Sequence, residues 1–274
     1  LSGKRPQSLR PGYRQDATRL FPCGQFIVAA LGLCAILAGA PAAQAGDPAA
    51  AVTPLLGTPY RDDGVDDPSG RHTLFANQSK SFPDRGYNCS GFVVSASRSI
   101  LGRPLLLDPM RRDRKGDSGQ NAPAGEDWDF GYDLILNATD GLPRRVLLPP
   151  GPAGPGQPAP AALAAPENLD ATRFRGFPLH DTAAWKAVLA QLRPGEIVFA
   201  TLSKEKAGRL YYYHVGLLYT DPSGRAYFAH ATPGKGSHRL ELTNPAGMAA
   251  FRKEFAENRF GEKYILLVAA PLPR

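Results

Sequence analysis

Five short runs between residues 196 and 269 do most to limit the fold. Glu196 to Thr201, Tyr211 to Tyr219, Arg225 to Thr232, Arg239 to Leu242 and Lys263 to Ala269 are rich in β-branched and aromatic residues, and turn formers such as Asp221-Pro222-Ser223-Gly224 separate them. They predict an antiparallel meander. Two helices accompany it. In Thr182 to Leu192, Trp185, Val188, Leu189 and Leu192 follow helical spacing, and Arg193-Pro194-Gly195 stops the helix. Pro245 to Phe255 has Asn244 as N-cap and Pro245 at its first position, with Met248, Phe251 and Phe255 facing inward. The class is α+β.

A third helix carries the chemistry. Tyr87-Asn88-Cys89-Ser90-Gly91-Phe92-Val93-Val94 reads as a turn running into an amphipathic helix with a cysteine in its first turn, and Phe92, Val93, Ala96 and Ile100 form one apolar stripe. Helix N-termini carry unpaired N–H groups and partial positive charge, so the Cys89 thiol is expected to fall below its free pKa of about 8.5. The competing reading is a small buried hydrophobe, since free cysteine is among the most buried residue types.

The cysteine count separates these readings. A basic leader with Lys4, Arg5, Arg10, Arg14 and Arg19 precedes the apolar run Phe26 to Ala40, and Ala43-Gln44-Ala45 supplies small residues for cleavage. Residues 1–45 are therefore expected to be a signal peptide, and the protein to be exported, periplasmic or extracellular. The apolar run is shorter than the ~20 residues a bilayer span needs, so no permanent membrane span is expected. Cys23 and Cys34 leave with the leader, and Cys89 remains alone in an oxidising compartment. A lone exported thiol risks oxidation, which favours reactivity over packing as the reason for keeping it.

Charge and composition restrict partners. Removing the five basic residues and the one acidic residue of the first 45 leaves 27 basic against 24 acidic, with no dense basic run, so nucleic acid is not an expected partner. Residues 46–54 read as a spacer. Arg61 to Arg85, rich in Asp, Gly, Ser and Pro, reads as loop. Trp128, Phe130 and Tyr132 suggest local packing without an assignable element. Leu147 to Pro166, dominated by Pro, Ala and Gly, reads as an extended insertion or mobile loop.

Two histidines fall inside predicted strands. A period of two puts His214, Gly216 and Leu218 on one face, with Gly216 open to close approach by a helix; Phe228, His230 and Thr232 share a face of the next strand. A hairpin would bring His230 near His214. A cysteine at a helix N-terminus, a histidine base and a second polar ring to fix its tautomer make a nucleophilic constellation. His72, His180 and His238 fall in predicted loops and receive no role.

These pieces resemble the NlpC/P60 cell-wall cysteine peptidases, whose fold is a papain-like helix-and-sheet core. The matching stretches are Gly57-Thr58-Pro59-Tyr60, Asn88-Cys89-Ser90-Gly91-Phe92-Val93, Leu192-Arg193-Pro194-Gly195-Glu196-Ile197-Val198-Phe199, His214-Val215-Gly216-Leu217-Leu218-Tyr219 and Phe228-Ala229-His230-Ala231-Thr232. The resemblance implies a catalytic domain over 55–270 with an insertion at about 103–181. It makes Cys89 the nucleophile, His214 the base and His230 the orienting residue, with Tyr60, Asn88 and Ser90 at the substrate site. Family members usually carry aspartate before the cysteine to help hold a substrate amine; here Asn88 supplies no countercharge.

The implied function is an exported cysteine hydrolase cleaving amide bonds in peptidoglycan stem peptides, with no cofactor and no metal. The alternative is a non-catalytic wall-binding or scaffold module retaining the fold. A zinc hydrolase using Cys89 with the histidines lacks a close-spaced ligand motif such as H-E-x-x-H.

Overall fold

The computed structural model describes residues 46–116, 128–151, 164–206, 208–256 and 261–273. The predicted leader and residues 152–163 of the Pro/Ala/Gly-rich stretch lie outside the described residues. No described helix is long and apolar enough to cross a membrane.

The expected strands are β6 (Glu196–Lys206), β7 (Arg209–Thr220), β8 (Ala226–Thr232), β9 (Gly236–Glu241) and β10 (Lys263–Pro271). The first four form the meander. β10 departs from it, pairing along nine residues with β6 and carrying β4 (Arg145–Leu147) and β5 (Phe177–Pro178) on its other side. All pairs in this sheet are antiparallel. The physical reason lies in β10 itself. Residues 265–270 are each at most 1% exposed, and an unbroken apolar run needs cover on both faces, which an edge strand beside β9 would not receive.

Helices supply that cover. On one face, Leu266 and Val268 join Phe199, Val215 and Leu217 against α2 (Cys89–Leu101) and α4 (Phe130–Ala138). On the other, Ile265, Leu267 and Ala269 join Leu202, Leu218 and Phe228 against α5 (Thr182–Leu189) and α6 (Pro245–Glu254). Two short helices, α1 (Pro48–Val52) and α3 (Leu107–Met110), complete the α-helices among the described residues, beside two single-turn 3-10 helices at Thr53–Leu55 and Pro166–Asn168.

Side-chain caps set three of the helix starts. Asn88, Asp181 and Asn244 cap α2, α5 and α6 by accepting the backbone N–H of Gly91, Ala184 and Gly247 at 2.7, 3.0 and 2.7 Å. Gly102, at φ 59°, ends α2 in the left-handed conformation.

Two segments differ from the sequence reading. The stretch 61–85 forms a small antiparallel sheet, β1 (Gly64–Asp66), β2 (His72–Leu74) and β3 (Ser81–Phe82). Strands of two or three residues are too short to show a period, and side chains do much of the tying: Asp67 accepts from the Ser69 and Arg71 N–H groups, and Thr73 donates to the Lys80 carbonyl. The unassigned aromatic stretch contains α4. Tyr132 through Ala138 are each at most 4% exposed, so this helix is buried all round, and its polar pair Asp133 and Asn137 bonds Arg114 and Arg112 instead of facing water.

The seat of α2 is its tightest contact. A Cβ at Gly91 would stand 1.8 Å from the Gly64 carbonyl oxygen, so only glycine lets the helix lie this close to β1. Gly91→Ala is therefore expected to lift the start of α2 and lower unfolding free energy by about 1–3 kcal/mol. Urea denaturation checks this; an unchanged midpoint would mean the contact is looser than described.

Candidate active site

Cys89 opens α2 and is the one free cysteine among the described residues, partly exposed. The backbone N–H groups of Val215, Ser90 and Cys89 itself favour its thiolate, as does the Ser90 hydroxyl, whose Oγ stands 3.9 Å from the sulfur. The helix start thus presents donors to sulfur, as expected. The expected fall in thiol pKa does not follow. Burial raises the Cys89 pKa and outweighs these N–H donors.

His214 owes its placement to a break in the strand. β6–β7 pairing runs Leu202↔His214 and then Ser203↔Tyr212, so Tyr213 is an extra, bulged residue. A bulge changes the parity of a strand. Tyr212 and Val215, three apart, accordingly pack in the same core layer, and the alternation resets just before the histidine. Gly216 also differs from expectation. The Phe228 ring, not a helix, fills the space above it, with Cζ only 2.4 Å from where a Cβ would stand.

The hairpin brings the two histidines together. β7–β8 pairing ends at Leu217↔Ala229, and beyond it the His214 and His230 rings meet edge-on, centroids 5.1 Å apart, with Nε2 of His214 2.9 Å from Nδ1 of His230. His230 is fully buried, with Phe228 and Phe255 against its ring. Burial holds His214 down at about 3 and His230 far below its ordinary value. Both rings are neutral.

Behind His230 stands a carboxylate that the sequence reading did not identify. Glu254, the last residue of α6, has Oε1 3.6 Å from His230 Nε2 and accepts from Thr232 Oγ1 at 3.0 Å, His238 Nε2 at 3.1 Å and Lys235 Nζ at 2.5 Å. Burial works against its charge, but the hydrogen bonds from His238 and Lys235 prevail and hold it far below the usual carboxylate range. His238 responds in kind: burial lowers its pKa, yet its bonds to Glu254 and the Gly236 carbonyl raise it overall. The ionised Glu254 favours a His230 proton on Nε2. Nδ1 of His230 then accepts from His214 Nε2–H, and the free lone pair of His214 resides on Nδ1.

His238 corrects its predicted placement. It lies in β9 as the direct partner of His230, ring centroids 4.4 Å apart. The sequence places the start of this strand one residue later, at Arg239, although a period of two counted back from Leu240 reaches His238. His72 likewise lies in a strand, β2, with Nδ1 2.6 Å from Asp66. Nothing in the sequence singled out Glu254 except its position beside the inward-facing Phe255.

Cys89 and His214 line one cavity of about 550 Å³, together with Tyr60, Tyr213, Lys235 and Lys263. Tyr60 is held there by Ser237: Gly57 N–H donates to its carbonyl, Thr58 N–H to its hydroxyl, and Ser237 N–H to the Thr58 carbonyl. Burial, then the nearby Cys89 and Asp62, raise the Tyr60 phenol pKa. Asn88 and Ser90 flank the sulfur differently. The Asn88 carbonyl caps α2, and Ser90 is 5% exposed.

A thiol pushed up and an imidazole pushed down make a neutral resting pair. Iodoacetamide labelling of the Cys89 peptide, read by mass spectrometry because the sequence also contains Cys23 and Cys34, is expected to accelerate only at a higher pH than labelling of a free cysteine does. A rate already maximal and flat between about pH 5 and 8 would instead indicate a thiolate–imidazolium pair. No protein-family model, curated protein or solved structure matches this chain.

Proposed function

We propose that the protein is an exported cysteine hydrolase that cleaves amide bonds in peptidoglycan stem peptides, with Cys89 as nucleophile, His214 as base and His230 as the residue that orients it. The observation that carries this reading is the 2.9 Å bond between His214 Nε2 and His230 Nδ1 beside a cavity that Cys89 also lines. The likeness of the Cys89 and His214 blocks to NlpC/P60 peptidases supplies the substrate class.

The chemistry follows from neutral partners. Because a thiolate is not preformed, proton transfer from Sγ to His214 Nδ1 accompanies attack on the carbonyl carbon. The Cys89 backbone N–H is the donor at hand for the oxyanion. The imidazolium returns its proton to the leaving amine, and water, deprotonated by His214, releases the acyl group from sulfur. His230 and Glu254 favour the imidazolium once formed, through the Nε2–H bond and the carboxylate behind it. Lys235 and Lys263 outnumber Glu254, the one carboxylate lining the cavity, and this balance suits a peptide bearing a carboxylate.

A second reading, a wall-binding module without turnover, draws on the same neutral pair. Cys89→Ser decides between them. Wild-type protein incubated with purified wall is expected to release fragments with new amine and carboxylate ends, and Cys89→Ser to release none; identical fragments from both would overturn the mechanism.

The histidines differ in expected effect. His214→Ala should lower kcat/KM by about 10²- to 10⁴-fold. His230→Asn keeps a carbonyl to accept from His214 Nε2–H and should lower it about tenfold, the worth of one weakened hydrogen bond. Equal, negligible effects at both positions would remove them from the mechanism.

A further inference from the structure

The cluster behind His214 has the makings of a cation site. Nε2 of His230, Nε2 of His238 and a Glu254 carboxylate oxygen all lie within 4.8 Å of one another. The measured edges are 3.6 Å from His230 and 3.1 Å from His238 to Oε1. Two ligand atoms about 2.0–2.1 Å from a tetrahedral zinc stand about 3.4 Å apart, so these edges bracket that value. A second observation points the same way. His230 Nε2 is buried and, among the described residues, has no hydrogen-bond partner, although its ring is fully enclosed.

The outer contacts match those of ligating histidines. Metal-bound imidazoles donate their remaining N–H to a carbonyl or another acceptor; His238 Nδ1 stands 3.0 Å from the Gly236 carbonyl, and His230 Nδ1 stands 2.9 Å from His214 Nε2. Thr232 Oγ1 steadies Glu254 at 3.0 Å. The Lys235 ammonium sits 2.5 Å from Glu254 Oε2 as a resident cation, but its side chain is 57% exposed and free to turn into solvent.

We propose that His230, His238 and Glu254 bind a divalent transition cation of the zinc class, with water as fourth ligand, and that its binding switches off the Cys89–His214 pair. Two nitrogen ligands and one carboxylate suit zinc better than calcium or magnesium. Inhibition follows from proton bookkeeping across the two rings, and this half rests on the hydrolase reading. The cation takes the lone pair of His230 Nε2, so the His230 proton moves to Nδ1 and is donated to His214 Nε2. The His214 proton moves in turn to Nδ1. No proton is gained or lost by this pair, but Nδ1 no longer has a lone pair to accept from Cys89. His238 gives up its Nε2 proton to solvent.

Cobalt(II) serves as the probe, because its visible spectrum reports ligand type. Full-length wild-type protein should take up one equivalent with d–d bands and no sulfur-to-metal charge transfer, and Cys89→Ser should give the same spectrum. Affinity should fall by about 100-fold or more in Glu254→Gln and His238→Ala. Lys235→Ala removes only the resident cation from an exposed position and should tighten binding about tenfold. Wild-type protein that binds no cobalt, binding unaffected by Glu254→Gln, no tightening in Lys235→Ala, or a charge-transfer band lost in Cys89→Ser would overturn the site. The switch is tested apart from turnover, by cobalt slowing Cys89 alkylation in wild type but not in His238→Ala. Should no wall hydrolysis exist, the spectra and alkylation rates still judge the site, so failure of the hydrolase reading and failure of the cation site are distinguishable.

Discussion

Burial of β10 on both faces is the constraint from which the rest follows. A strand with six consecutive residues at most 1% exposed requires an apolar layer above and below it. The two layers are not equivalent. α2 lies in one and delivers Cys89; α6 lies in the other and delivers Glu254. His214 and His230 stand between, where β7 and β8 have stopped pairing. The line from sulfur to carboxylate therefore passes through the sheet at its splayed end, with rings replacing the ladder that would otherwise close the gap.

Electrostatics at this point is a contest between desolvation and local donors, and the outcome differs from group to group. At Cys89 and at both strand histidines desolvation prevails, which keeps all three neutral. At Glu254 the hydrogen bonds from His238 and Lys235 prevail, which keeps it charged. The charges are thereby kept on the far side of His230, where Glu254 pairs with Lys235 and His238, and none is placed among Phe228, Phe251 and Phe255.

How far the sequence revealed this depended on whether each element has a wet face. Thr182–Leu189 and Pro245–Glu254 each expose one side, and their periodicity showed them to within a few residues. Cys89–Leu101 carried its cap and apolar stripe openly. α4 is enclosed on every side, its polar pair Asp133 and Asn137 turned to Arg114 and Arg112 instead of to water, while the three strands of 64–82 are too short to show a period. Within the site, His214 and His230 were readable as a pair because strand alternation is local. Glu254 was not, because its partners lie 16 to 24 positions earlier and meet it only when α6 folds back over β8 and β9. The thiol's pKa was misjudged for a related reason: a helix start is visible in sequence, whereas the depth at which it is buried is not.

Ser237 has a consequence for the stiffness of the cavity wall. Its N–H, carbonyl and hydroxyl all bond the segment carrying Tyr60, and the hydroxyl also donates to the Leu55 carbonyl. A Cβ at the preceding Gly236 would stand 2.2 Å from the Thr58 carbonyl oxygen, so the two backbones touch. The Tyr60 wall is thus riveted to β9, one residue from His238. A wall fixed in this way does not act as a flap. Freedom of movement at the cavity belongs instead to side chains such as the exposed Lys235, whose ion pair is formed with the same carboxylate that faces His230 and His238.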